Sequence, residues 1–496
     1  MLIHHYVFTI ILIIFALVSL DYPNTKAFAV SKPEYKLTIT YPKDGALFPN
    51  EIIAPTFRWQ ASADAESWKV SARLRGIASP ITAIVDKPSW RPSQQEWETI
   101  KKYSVEFEAV VTIVPLSRDV LKTSNQGTIR IRTSADPLST PIFFREVALP
   151  IKIAAENPEE TRWKVGDISS TAPPRVVLQG MKICANCHSV TPDGKTIGMD
   201  VDTNNDKGAY IISTIERETI FSIDKVMTWN DYQRTYDGTQ NYGLFSAVSP
   251  DGRYVISTVK ELPVYQAFSD IGYSQLFFPG RGILVVYDRQ MKTFVPLPGA
   301  SDPGFVQTNA VWSPDGKWIV FVRAQALGSD FSTKAFAERT AHFRYDLYRI
   351  PFNGGKGGSP EQIEGASRNG RSNYFPKFTP DGKWIVYTQS DSFMIIQPDA
   401  ELHIIPSNGG QDRKMNCNTD GKMASWHSIA PGSRWMVFSS KANGPWTQLW
   451  LTHIDASGND TPPVFLENFV ATDRAANIPE FLNIVPGMME RIVNKL

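Results

Sequence analysis

Cysteine is nearly absent from this chain: Cys184, Cys187 and Cys417 are the only three in 496 residues. That excludes the disulfide framework that staples small secreted domains, so stability has to come from buried cores. An excess of one charge sign is equally absent. The 51 Lys and Arg against 50 Asp and Glu leave a formal charge of +1, which excludes the strongly basic balance that a nucleic-acid or anionic-lipid partner demands. Long hydrophobic runs are absent outside residues 6–20, a stretch too short to span a bilayer comfortably and the right length for a signal h-region. Ala27-Phe28-Ala29 follows as a small-residue cleavage pattern, so residues 1–29 are expected to be a signal peptide and the body periplasmic or otherwise extracytoplasmic. His4 and His5 stand where Lys or Arg is usual, so an uncleaved anchor is the alternative, and the only membrane attachment expected.

From about residue 33 to residue 155 short runs alternate apolar and polar residues, as in Trp68-Lys69-Val70-Ser71-Ala72-Arg73-Leu74, with turn clusters such as Pro42-Lys43-Asp44-Gly45 between them. Period-2 alternation means half-buried strands, and this many of them predict a two-sheet β-sandwich of immunoglobulin or fibronectin type with Trp59 in its core. Residues 156–180 are polar and Pro-containing and are expected to be a linker. A second domain follows over 181–485, and 486–496 are expected to form a short C-terminal helix.

The second domain contains a repeat. A Ser/Thr-Pro-Asp-Gly turn recurs with its proline at Pro192, Pro250, Pro314 and Pro380, and a degenerate copy has Pro431, at intervals of 58, 64, 66 and 51 residues. An apolar strand follows each turn, and a second hairpin follows in the same units, as in Asp346–Gly355 and Glu401–Gly410. Four-stranded units at this period predict a β-propeller, because one such sheet cannot bury both faces alone and a ring of them can. These units resemble the repeats of TolB-type β-propellers over roughly residues 185–465. The resemblance implies six blades where five are legible, so a sixth is expected from 161–179 together with 471–485. The fold class expected is all-β, a sandwich followed by a propeller.

Cys184-Ala185-Asn186-Cys187-His188 is a C-x-x-C-H sequence, whose spacing lets two thiols bond the vinyl groups of a haem while the adjacent imidazole takes the iron. It resembles the attachment motif of c-type cytochromes over these five residues only, with no cytochrome c domain around it. One covalent haem c is therefore expected, held by Cys184 and Cys187 with His188 as an axial ligand. A thioredoxin-like pair or half of a zinc site would need an α/β context or a second ligand pair, and neither is present. Cys417 reads as a plain thiol.

Aligning the turns puts His188 in register with Ser246, Ala310, Pro376 and His427, at one height around the ring and near one mouth of the channel. His427 is accordingly the first candidate for the second iron ligand. Met199 is the runner-up, although it should pair across the strands with His188 and project to the same side; Met181, Met227, Met415, Met423 and an open iron are the remaining alternatives. The oxygens of Asp200, Asp202, Asn204 and Asp206 resemble the start of a calcium loop, but Asn205 and Ile211 occupy the positions that need Gly and Glu, which favours a solvated loop. Trp312, Trp318, Trp384, Trp435 and Trp450 fall at strand positions and read as blade packing.

No nucleophile–base constellation accompanies the motif, so the expected function is that of a mono-haem electron carrier serving a redox partner protein. The alternatives are a haem enzyme with an open iron site, and a scaffold or sensor that binds a protein or glycan.

Overall fold

The computed structural model describes residues 37–496 apart from 62–64, 106, 117–125, 183–186 and 235–237. The expected signal segment and Cys184 lie outside them. Among the described residues no helix is long and apolar enough to cross a membrane.

Each repeat turn is built by its own side chains. At Thr191 the hydroxyl donates to Asp193 Oδ1 at 2.6 Å and accepts from Thr196 N–H at 3.0 Å, and the same carboxylate oxygen accepts from Lys195 N–H at 3.0 Å. The arrangement repeats at Ser249/Asp251, Ser313/Asp315 and Thr379/Asp381. Gly194, Gly252, Gly316 and Gly382 all take positive φ at the turn's end, which is why glycine recurs there. In the degenerate copy Ser433 takes that conformation, with φ 60°.

These turns join the first two strands of successive four-stranded antiparallel sheets, here numbered as blades II to VI. Blade II runs His188–Val190, Thr196–Asp200, Ala209–Thr214 and Val226–Thr228; the inner strands of blades III to VI are Leu244–Val248, Phe305–Trp312, Ser372–Phe378 and Ala424–Ile429. Blade I closes the ring. Its innermost strand, Arg474–Phe481, comes from the C-terminal end of the propeller and pairs with Ile142–Ala148, which pairs in turn with Arg162–Gly166 and then Arg175–Gln179. The sixth blade thus takes the two segments expected of it and one more: 142–148 was assigned to the sandwich, and the 156–180 stretch read as linker carries two of the blade's strands. The C-terminal residues differ as well. Arg491–Asn494 is a strand, parallel to Glu218–Phe221, in place of the short helix.

Before the propeller lie a three-stranded sheet (Leu37–Tyr41, Phe57–Ala61, Ser89–Trp90) and a five-stranded one (Ala46–Phe48, Gly127–Thr133, Ala109–Leu116, Ser67–Arg73, Ile81–Val85), with helix Gln94–Tyr103 beside them. Their core includes Trp59 and is continuous with Trp435, Val437, Leu449 and Leu451 of blade VI.

Blades I and II meet over Phe143, Trp163, Ile197, Met199 and Leu482, all fully buried. Truncating a buried tryptophan costs about 3–5 kcal/mol. Trp163→Ala should therefore lower the urea midpoint of unfolding by that equivalent, and an unchanged midpoint would mean that the closing blade adds nothing to stability.

Candidate haem site in the propeller channel

The six inner strands enclose a cavity of about 670 Å³, within the size range of ligand and cofactor pockets. Pro192, Pro250, Pro314, Pro380 and Pro431, the prolines of the repeat turns, line one end of it. The other end is covered by a hairpin inserted in blade III, Pro263–Ala267 with Gln275–Pro279, which lines the cavity with Gln275 and Phe277. The hairpin reaches blade VI, where Lys441 Nζ donates to the carbonyl of Ile271 at 3.3 Å.

Each inner strand of blades III to VI and of blade I is broken by a bulge, and at each bulge one residue takes positive φ: Phe245 (61°), Asn309 (52°), Phe375 (52°), Trp426 (41°) and Ile478 (51°). A bulge re-aims side chains, and here all five residues line the channel. Counting from the repeat turns, Cys187 occupies this register in blade II. The motif therefore stands where every other blade turns a residue inward. His188 follows at the register of Ser246, Ala310, Pro376 and His427, as the repeat predicts.

Cys187 is pinned to the neighbouring strand. Its N–H donates to Asp200 Oδ2 at 3.1 Å and its carbonyl accepts from Asp200 N–H at 3.1 Å. Burial, with the Asp200 carboxylate beside it, pushes the Cys187 thiol well above its usual pKa, and burial pushes Asp200 up to about 8. Asp200 therefore faces the site. Asp202 instead contacts Lys207, and Asp206 accepts from Gly208 N–H and Asn230 Nδ2 at 3.0 and 2.6 Å, so the three carboxylates of the calcium-like run turn to separate partners.

His188 is 6% exposed, and neither ring nitrogen makes a hydrogen bond of regular geometry among the described residues, the Ile478 backbone lying near the ring as a weaker polar neighbour. Its ring meets Phe143 edge-on, with centroids 4.8 Å apart. Burial, with the cations Lys377 and Arg145 nearby, lowers its pKa to about 3, the Ile478 backbone partly offsetting them. His427 is equally dry at 2% exposure. Its Nε2 lies 3.0 Å from the carbonyl of Val386, so Nε2 carries the hydrogen and donates, which leaves Nδ1 with a lone pair and no partner among the described residues. Burial and Lys377 put its pKa at about 3 as well. Both imidazoles line the same cavity, from blades II and VI on either side of blade I. Met199 pairs with His188 across the strands, and its side chain packs in the core between blades I and II.

Sequence reasoning missed four charged residues of the wall, Arg145, Lys207, Lys377 and Glu480. Arg145 came from a strand assigned to another domain. Lys377 and Glu480 stand at one register, in Phe375-Pro376-Lys377-Phe378 and Ile478-Pro479-Glu480-Phe481, where the other blades carry Ser189, Ala247, Val311 and Ser428. That contrast was visible in the repeat.

Two histidines held neutral make the folded chain acid-sensitive. Between pH 6.5 and about 3 the unfolded chain binds a proton at each that the folded chain refuses, so stability is fully present above pH 6.5 and falls as the pH drops, by at most about 1.4 kcal/mol per pH unit per histidine. In urea titrations of apoprotein between pH 4 and 6, His427→Leu should show a shallower slope than the parent; parallel slopes would mean that His427 titrates normally.

No family model matches the sequence, and no curated protein does. Solved structures similar to it include TolB from Acinetobacter baumannii, at 14% identity over 75% of this chain and 79% of that one with a TM-score of 0.41. A putative TolB from Agrobacterium tumefaciens is 13% identical over 69% and 99%, with a TM-score of 0.36. Hydrazine synthase from Kuenenia stuttgartiensis is 14% identical over 60% and 71%, with a TM-score of 0.34. TolB-type β-propeller proteins are thus among the structural neighbours of this chain, a likeness of fold on which no functional conclusion rests.

Proposed function

We propose that the protein is an extracytoplasmic electron carrier in which one haem c is covalently held at the inner rim of the propeller and serves a redox partner protein. The observation that carries this reading is His188: a buried, neutral imidazole with no hydrogen bond of regular geometry among the described residues, next to Cys187 on the wall of a cavity of about 670 Å³. Buried polar atoms are ordinarily satisfied, and a ligand imidazole has to be neutral to offer its lone pair. Cys184 and Cys187 would hold the haem through their thiols, and His188 would offer its imidazole to the iron.

When bound, haem supplies one-electron exchange at its iron. The chain's own part is to hold the thiol, keep the imidazoles neutral and line the site with apolar side chains such as Phe245, Phe375 and Trp426. Asp200 fixes the backbone of Cys187 from both sides. His427 would be the second residue to hold the iron in this reading, through Nδ1, because the Val386 carbonyl fixes its tautomer in the manner usual for metal-binding histidines. The N-terminal apolar stretch and cleavage pattern support export, which covalent haem attachment also requires.

Absorption spectra of protein matured with haem c machinery test this. The parent should carry haem that survives extraction, low-spin and unmoved by carbon monoxide; Cys184→Ala/Cys187→Ala should retain none; His427→Ala should turn high-spin and bind carbon monoxide. A parent without covalent haem would sink the proposal, and a parent that binds carbon monoxide would remove His427 from it.

A further inference from the structure

One ion pair crosses the cavity. Lys377 Nζ, from the inner strand of blade V, contacts Glu480 Oε1, from the inner strand of blade I, passing over blade VI, which lies between them and carries His427. The two side chains are 33% and 14% exposed, and both line the cavity. They stand at the same register of their blades, one residue beyond Pro376 and Pro479.

Their cross-strand partners tie them to the two histidines. Lys377 pairs with Val386, whose carbonyl accepts from His427 Nε2 at 3.0 Å. Glu480 pairs with Phe143, whose ring packs against His188 at 4.8 Å. Each end of the ion pair is thus one strand away from the group that seats a histidine. Few other charges share the wall, namely Arg145, Asp200 and Lys207. Screening is weaker on a partly buried, largely apolar wall than in open water, so a single charge there acts on its neighbours.

We propose that the Lys377–Glu480 ion pair sets the reduction potential of the site by its charges, Lys377 favouring the reduced form and Glu480 the oxidised one. This rests on the haem reading above. A cation stabilises the iron state of lower positive charge, so removing Lys377 favours oxidation and removing the charge of Glu480 favours reduction. A pair that merely held the blades apart would give the same response whichever end was lost.

Spectroelectrochemical titration of the full-length, haem-loaded protein separates these cases. Lys377→Met should lower the midpoint potential and Glu480→Gln should raise it, each by about tenfold in the reduction equilibrium, or about 59 mV for one electron. The double variant should return close to the parent, and all four proteins should keep the same low-spin spectrum. Shifts of the same sign, no shift, or loss of the low-spin spectrum in either single variant would overturn the proposal and leave the haem reading standing. Absence of covalent haem from the parent would overturn both.

Discussion

A four-stranded antiparallel blade has two apolar faces and can bury neither within itself, so the ring has to close. Here closure falls to blade I, the one blade assembled from distant parts of the chain, with Arg474–Phe481 laid against Ile142–Ala148. Everything in the site depends on that pairing. The closing strand lies between the blades that carry His188 and His427, and it brings Ile478 and Glu480 to the same wall. Its partner strand supplies Phe143 against His188 and Arg145 beside it. The motif itself is local, but the walls around it are made only when the two ends of the propeller meet.

The wall so made is costly. Leaving a buried polar atom without a partner costs about 1–3 kcal/mol, and folded chains keep such atoms few. The His188 ring, which makes no hydrogen bond of regular geometry among the described residues, and Nδ1 of His427 are near this condition, on one cavity. Their neutrality lowers the expense, since a buried imidazolium beside Lys377 would be worse, and it leaves lone pairs available. Trp59 Nε1 and Trp163 Nε1 are in the same condition inside packed cores, and the two histidine rings differ from them in lining one cavity.

The parts of this arrangement that were legible in the sequence are those set by local chemistry. The repeat turn works within six residues, through one hydroxyl, one carboxylate and one glycine, and so it can be read and counted. Its register then placed His188 and His427 at one height. Ile142–Ala148 was illegible because a strand of the closing blade alternates or runs apolar just as a strand of a sandwich does; only its partner distinguishes them, and the partner lies more than three hundred residues away. The two strands between 156 and 180 were hidden by the prolines and acids that flank them. The bulges left no mark either, because Phe245, Phe375, Trp426 and Ile478 are residues that rarely take positive φ, and they do so here under the pressure of the ring around them.

The same turns that made the fold legible also shape the electrostatics of the channel. Proline stands at the second position of each turn because its fixed φ suits that position, and the consequence is a mouth lined by five residues with no N–H to offer. Four of the five turns also contain an aspartate, and each accepts from its own Ser or Thr hydroxyl and from a backbone N–H two residues on, so these carboxylates serve the turns. The channel is left with an apolar collar and five charged side chains of its own among the described residues, one of which, Asp200, is pushed up to about 8 and is uncharged near neutral pH. Lys377 is answered by Glu480 and Lys207 by Asp202, so the channel presents paired charges beneath an apolar collar.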